Sequence, residues 1–228
     1  MKHKHHIVFF TGAGISKESG IPTFRDNNGL WSNHKLEEVA SIEGFNKNPQ
    51  LVLDFYNERR REVEKAQPNL AHKLIAELED RYEVSVITQN VDNLHERAGS
   101  TNVLHLHGEL TKCRSIKDKN HIYLYTKDIQ LGDLAADGGQ LRPHIVWFGE
   151  EVAEIEKAIT IAETADLFVI VGTSMVVQPA GSLLLSVPVD AQTVYIDIKP
   201  DVEEGINLLV LQEKATTGVK LLVEEYLP

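Results

Sequence analysis

Short runs of consecutive apolar residues recur along the chain, and between them apolar positions return every three or four residues. The runs 7–10, 84–88, 103–106, 145–147, 167–171, 194–198 and 208–211 each have the length of one buried strand. Helices are expected at 36–40, from Pro49 to Val63 through Leu51, Val52, Phe55, Tyr56 and Arg59, and at 70–78, 93–98, 151–163, near 180–185 and at 217–226. Asn69 can cap the helix at 70–78, and Gly99 can close the one at 93–98. Buried strands alternating with helices predict an α/β fold, a parallel sheet with helices on both faces. Residues 110–141 break that rhythm. Polar and charged residues there surround a small apolar set: Ile116, Ile122, Tyr123, Leu124, Tyr125, Ile129, Leu131 and Leu134. The expected organisation is a main domain of residues 1–35, 69–109 and 144–228 and a smaller, discontinuous inserted module of residues 36–68 and 110–143.

The 228 residues are 42% hydrophobic and 25% charged, an ordinary make-up for a globular protein. The formal net charge, 23 − 34 = −11, argues against nucleic acid as a partner and suits cationic segments such as lysine-rich tails. A single cysteine, Cys113, rules out an intramolecular disulfide framework. No run of about 18 apolar residues occurs, so no membrane association is expected. The opening MKHKHH reads as a solvated leader with tag-like character in His3, His5 and His6. A cytoplasmic, monomeric protein is the expectation.

Candidate chemistry begins where the first strand ends. Thr11-Gly12-Ala13-Gly14 breaks the apolar run, and Ile15-Ser16-Lys17-Glu18 reads as the first turn of a helix. Strand, glycine turn and helix start can cradle a phosphate. They can equally be a plain tight turn: Lys17 stands where a dinucleotide fingerprint has its third glycine, and no acidic residue follows a second strand. Gly20 and Pro22 end the helix at once, so a loop bearing Ile21, Phe24 and Arg25 should cross the ligand site. Gln89, Asn90 and Asp92 follow the strand 84–88 directly, where open parallel sheets place their ligands; an Asx turn accounts for them as well. His107 follows the strand 103–106 and precedes Gly108, which leaves its imidazole uncovered. Its ordinary pKa of about 6.5 suits a general base, although His105 shares its strand face. Tyr56 and Arg59, three apart on a helix, share a face; the plainer account makes Tyr56 core and Arg59 part of a surface run, Arg59-Arg60-Arg61.

Five stretches in order resemble the sirtuins, the NAD-dependent protein lysine deacylases: FFTGAGISKESGIPTFR at 9–25, TQNVDNLH at 88–95, HGEL at 107–110, RPHIVWFGE at 142–150 and VGTS at 171–174. They span nearly the whole chain. The resemblance implies a Rossmann-like NAD-binding domain with a small inserted module, and NAD consumed as a co-substrate with no hydride moved. It places the phosphates over Gly12, Ala13 and Gly14, with Phe24 and Arg25 closing over them. Asn90 and Asp92 would line the nicotinamide pocket with Ile21 and Val91, and Gln89 would contact the ribose. Gly172, Thr173 and Ser174 would hold the adenosine ribose, with Asp197 and Ala215 around the adenine. His107, the histidine before the glycine, takes the place of the base that deprotonates a ribose hydroxyl. The products would be free lysine, nicotinamide and an acylated ADP-ribose. An acylated peptide would add as a strand between 146–150 and 174–177, touching Val146, Phe148, Gly149, Met175 and Val176. The run from Phe55 to Arg61 is similar to the sirtuin class that removes acidic acyl groups, in which a tyrosine and the arginine three later clamp the acyl carboxylate. That implies desuccinylase or demalonylase activity beside deacetylation, carried by Tyr56 and Arg59.

The chain departs from the family at the zinc site, normally two Cys-x-x-Cys pairs. Cys113 stands near the first position and no second cysteine exists. Tetrahedral zinc takes four ligands, so no zinc is expected. Transfer of ADP-ribose to protein, or plain NAD hydrolysis, would use the same cleft and differ in which product keeps the ADP-ribose. A non-catalytic NAD-binding module would not need His107, and a dehydrogenase would carry the missing third glycine and second-strand carboxylate.

Overall fold

The computed structural model describes residues 5–23, 30–31, 34–200, 202 and 204–227. Six parallel strands form one sheet in the order Leu208–Leu211, Gln192–Ile196, Leu167–Val171, His6–Thr11, Glu83–Thr88, Val103–His105. The chain starts in the middle, builds outward to one edge, then crosses to the other side of its first strand and builds outward again. The order therefore reverses between His6–Thr11 and Leu167–Val171, and a crevice opens beyond the carboxyl ends of those two strands.

Both are buried along their whole length, as strands covered on two faces must be. The two-residue period sends Ile7 and Phe9 to one face and Val8 and Phe10 to the other. Ile7 and Phe9 join Val86, Val169 and Val171 against Ala71 and Ile75 of the helix Leu70–Glu77 and Val219 of the helix Ala215–Leu221. Val8 and Phe10 join Phe168, Ile170 and Tyr195 against Ala158 and Ala162 of the helix Ile155–Ala162.

A second core lies between the helices Leu36–Val39, Ile42–Lys47 and Pro49–Lys65 and a three-stranded antiparallel sheet ordered Ile122–Leu124, Gly108–Ser115, Leu141–Ile145. Pro49 opens the long helix, and the Asn48 side chain accepts from the Leu51 amide. Leu53, Phe55 and Tyr56 face inward onto Cys113, Ile129, Ile145 and Trp147.

Several expected boundaries move. The run 145–147 is not a strand of the main sheet; the chain pairs as Leu141–Ile145 with Gly108–Ser115, because residues 141–145 find ladder partners there. The small sheet's limits, Gly108 and Ile145, lie outside the 110–143 boundary on both sides. The strand expected at 194–198 is Gln192–Ile196. Asp197 turns the chain by accepting from the Lys199 amide, which leaves Ile198 54% exposed. The first strand begins at His6, not Ile7. His6 is buried, its amide donating to Asp166 and its Nε2 meeting Ser85 Oγ at 2.9 Å, so the solvated leader stops before it. The helix expected at 151–163 is Ile155–Ala162, and the last helix is Ala215–Leu221 followed by a π turn, Leu222–Tyr226. Most of the loop expected to close the site, Phe24 and Arg25 included, lies outside the described residues, as does the Trp31 side chain. No helix among the described residues is long and apolar enough to cross a membrane.

Candidate active site

The glycine turn welds the two strands that flank the crevice. Gly12 N donates to Val171 O at 3.0 Å and Gly14 N to Gly172 O at 2.8 Å. A Cβ on Gly14 would lie 2.6 Å from Gly172 Cα, and one on Gly12 would lie 2.6 Å from Thr173 Cβ. The glycines are needed for this approach. The amides of Gly12 and Gly14 are thus used by the end of the neighbouring strand and the turn after it.

A buried polar wall stands on one side. Asn90 Nδ2 donates to Gly12 O at 3.1 Å and to Ser16 Oγ at 3.2 Å, and Ser16 Oγ donates to Asp92 Oδ2 at 3.0 Å. Asp92 Oδ1 accepts from Leu94 N at 3.1 Å. Burial holds the Asp92 carboxyl above the ordinary carboxylate range, and these bonds pull it partly back. Behind the wall, Asn90 N donates to Thr88 Oγ1 at 3.1 Å and Thr11 Oγ1 to Thr88 Oγ1 at 2.8 Å. His95 Nε2 lies 3.1 Å from Thr11 Oγ1. Thr11 and Thr88 are direct register partners on adjacent strands. Sequence reasoning missed Ser16, Thr11, Thr88 and His95. All four lie within the stretches 9–25 and 88–95 quoted above, without being singled out there.

The two candidate histidines differ in protonation. His107 Nδ1 lies 3.0 Å from Gln89 O. A carbonyl only accepts, so Nδ1 carries the hydrogen and Nε2 keeps its lone pair. Burial lowers the His107 pKa below its ordinary 6.5, partly offset by the Gln89 bond, so the ring is neutral at neutral pH. His105 places Nδ1 2.9 Å from Asn90 O and Nε2 2.7 Å from Glu96 Oε1. Both partners accept, so both ring nitrogens of His105 are placed to donate, which favours its protonated form. Burial alone would lower its pKa, but Glu96 and the Asn90 carbonyl raise it on balance. His107, of the two, offers an unprotonated nitrogen.

Gln89 also reaches across the crevice, its Oε1 accepting from Thr173 Oγ1 at 2.6 Å. Tyr195 OH donates to Thr173 O at 2.9 Å, and Ser174 is half-buried beside it. Asp197 and Ala215 are buried one strand further on. Ile21 and Val91 pack against the second core, and Ala13 is half-buried in the glycine turn. Val146 N donates to His107 O at 2.9 Å, and Phe148 N to Ala40 O at 2.9 Å. The side chains of Phe148 and Val176 are exposed, and Gly149 and Met175 have φ of +88° and +55°.

Tyr56 is fully buried and accepts from Trp147 Nε1 at 3.0 Å; burial pushes its phenol pKa up. Trp147 follows Val146, so the long helix touches the segment that bonds to His107. Arg59 is buried too, its Nη2 2.7 Å from Glu62 Oε1. Arg60 is buried, with Nε donating to Leu110 O at 2.8 Å. Arg61 points outward to Asp128. The three arginines are therefore not one surface run. Cys113 is buried opposite Tyr123 and Pro143. Among the described residues, the one group close enough to hold a metal is Glu96, His105 and Glu109, which contains no cysteine.

The Sir2 family model matches residues 12–179. An NAD-dependent protein deacylase of Helicobacter pylori (strain ATCC 700392 / 26695) is 57% identical over 194 residues, 85% of each chain. One of Bacteroides thetaiotaomicron is 50% identical over 231 residues, 98% of each. Among solved structures, a Sir2 homologue in complex with NAD superposes with a TM-score of 0.86 at 39% identity, over 96% of this chain and 88% of that one. A Sir2 homologue mutant carrying 2'-O-acetyl ADP ribose gives 0.86 at 40% identity, over 96% and 91%. Matches on this scale reach from the glycine turn past the Thr173 loop, so the chain with this crevice belongs to the Sir2 family.

Proposed function

We propose that the protein removes acyl groups from lysine side chains with NAD as co-substrate. The observation that carries this is the His107 tautomer: the Gln89 carbonyl takes the Nδ1 hydrogen and leaves Nε2 as a base beside a buried amide–carboxyl wall. The names of the relatives, and the acetylated ADP-ribose in a structural neighbour, support the same reading. Polar side chains suited to a dinucleotide also line the crevice, with Asn90, Asp92, Thr173 and Asp197 buried at strand ends.

When bound, NAD supplies the ribosyl carbon that accepts the acyl carbonyl oxygen as nicotinamide leaves. Asn90, Asp92 and Ser16 hold and orient the amide end. His107 Nε2 takes the proton of a ribose hydroxyl, which then accepts the acyl group; water completes the balance, giving lysine, nicotinamide and O-acyl-ADP-ribose. Burial of the wall excludes bulk water from the bond that breaks.

Acidic acyl groups are the preferred substrates in this reading. Tyr56 and Arg59 supply a buried phenol and a buried cation, and Trp147 joins Tyr56 to the segment bonded to His107. Mass spectrometry of acetyl-, succinyl- and malonyl-lysine peptides, with and without NAD, tests the activity. Modified protein in place of acylated ADP-ribose would mark a transferase. Arg59→Met should cost desuccinylation roughly 10- to 100-fold more than deacetylation, as expected for a charge-assisted pair. An equal loss of both would overturn the acidic-acyl assignment.

A further inference from the structure

We infer that His105 is a positioning residue for Asn90: braced by Glu96, it grips the Asn90 carbonyl and so aims the Asn90 side chain at the amide end of the cofactor. This rests on the reading of Asn90 above. Three consecutive carbonyls of the turn after Glu83–Thr88 are held by the segment 105–110. Gln89 O accepts from His107 Nδ1 at 3.0 Å, Asn90 O lies 2.9 Å from His105 Nδ1, and Val91 O accepts from Leu110 N at 2.8 Å. His105 ends its strand as the register partner of Thr88, which brings its ring under the turn. Asn90 is thus held from both ends, its side-chain Nδ2 by Gly12 O and Ser16 Oγ and its carbonyl by His105.

The His105 donor differs from the other two in having a carboxylate behind it, Glu96 Oε1 at 2.7 Å from Nε2. A doubly protonated ring satisfies both acceptors at once. A neutral ring has one hydrogen for two acceptors, and the carboxylate is the stronger of them. The Asn90 carbonyl then faces a lone pair. Charged and titratable groups reach the ring from three sides. The helix Leu94–Ala98 brings Glu96 and His95, the turn brings the buried Asp92 carboxyl, and the strand Gly108–Ser115 brings Glu109, itself paired with Lys112. His95 is driven well below its ordinary value by burial and is uncharged at neutral pH. Burial opposes the charge on His105, yet Glu96, the Asn90 carbonyl and Glu109 outweigh it and raise its pKa. The grip is therefore complete below that raised value and weakens as pH climbs through it. His107 must be neutral and His105 charged, so the pH profile is a bell whose basic limb belongs to a group that never touches substrate.

The test compares wild type, Glu96→Gln, His105→Asn and His105→Leu as full chains, with one acetyl-lysine peptide and NAD, from about pH 6 to about pH 9.5. In wild type kcat/KM for NAD should fall on the basic side with an apparent pKa above 6.5. Glu96→Gln removes the charge and keeps the ring, so its basic limb should move to lower pH. His105→Leu should lower kcat/KM for NAD about tenfold at about pH 6.5, the scale of a hydrogen bond to a charged group. Inhibition by added nicotinamide should weaken to a similar extent, with the peptide KM unchanged. His105→Asn puts an amide N–H near the Nδ1 position without a titrating ring; it should recover most of the loss and lack the basic limb. A basic limb at the same pH in wild type and Glu96→Gln overturns the inference, and this variant decides the matter where His105→Leu does not fold. Equal losses in His105→Leu and His105→Asn, shared by the peptide KM and accompanied by a lowered melting temperature, also overturn it, because the ring would then be structural. A wild type that forms no O-acyl-ADP-ribose from NAD removes the proposed function itself, and this inference with it.

Discussion

Two histidines lie buried behind the site wall, His72 with no exposure and His95 with 2%. Their rings meet edge to face with centroids 4.8 Å apart. Neither ring nitrogen of His72 has a hydrogen-bond partner among the described residues. Burial lowers the His72 pKa to about 4, with Glu96 pulling slightly upward, and burial together with His72 and His105 drives His95 well below its ordinary value. An unfolded histidine takes up its proton near 6.5. The unfolded chain thus binds more protons in acid, so the His72 contribution is intact above about pH 6.5 and is lost progressively as pH falls toward about 4. At about pH 5 the ratio of proton-binding terms, unfolded over folded, is roughly 30, and RT times its logarithm is about 2 kcal/mol. His105 works the other way. Its raised pKa contributes stability fully below about 6.5 and loses it as pH rises through the folded value. Wild type alone therefore mixes two signs, and a variant is needed to separate them. Urea denaturation of wild type and His72→Leu at about pH 7.5 and about pH 5 isolates the His72 term. The variant should lose about 2 kcal/mol less on acidification. At about pH 7.5 it should stay within about 1 kcal/mol of wild type, since two unsatisfied polar atoms leave with the ring. Equal acid losses in both proteins would refute the reasoning.

Other expectations follow from the same coordinates. Gly108 has φ +80° and a Cβ there would lie 2.0 Å from His144 O, whereas Gly149, at φ +88°, has nothing within 4 Å of its Cβ position. Gly108→Ala should cost about 3 kcal/mol or more and Gly149→Ala about 1 kcal/mol in urea denaturation; similar costs would mean the His144 carbonyl moves away freely. The acid limb of kcat/KM should fall with an apparent pKa below 6.5, because His107 must be neutral and burial depresses it; a limb centred above 6.5 would point to another base. Elemental analysis of purified protein should give well below one zinc per chain, and a full equivalent would contradict the reading of Cys113 as a packing residue.

The runs at 167–171 and 208–211 coincide with observed strands because a strand covered on both faces is apolar throughout. The small sheet was not legible for the converse reason. In Gly108–Ser115 a register shift between Glu109 and Cys113 interrupts the two-residue period, and Lys112 and Arg114 mask the buried positions. Trp147 is apolar because it packs on Tyr56 and Phe45, with the Arg142 guanidinium 3.2 Å over its ring, so the run 145–147 imitated a strand of the main sheet. Asn90, Asp92 and His107 could be located because they follow strand ends. Thr11 and Thr88 could not, since a polar side chain inside a strand carries no periodic mark. Choosing between His105 and His107 needs Glu96 and the Asn90 carbonyl, which come from other segments.

Gln89 bridges the crevice, and that makes a last prediction. Tyr195 OH holds Thr173 O, Thr173 Oγ1 donates to Gln89 Oε1, and Gln89 O receives the His107 Nδ1 hydrogen. The loop expected to hold the adenosine ribose and the nitrogen expected to take the proton are therefore linked through Gln89. Thr173→Val keeps the shape and deletes both the donor to Gln89 Oε1 and the acceptor of the Met175 amide at 3.2 Å; Thr173→Ser keeps both. Counting the Gln89 bond only, losing one buried neutral hydrogen bond costs about 1–2 kcal/mol, which would lower kcat by roughly 5- to 30-fold if the whole effect reached the transition state. Thr173→Val should show that loss with the peptide KM unchanged, and Thr173→Ser should recover most of it. If the two variants behave alike, the threonine serves only to fill space beside Gly12, and the base is oriented without help from across the crevice.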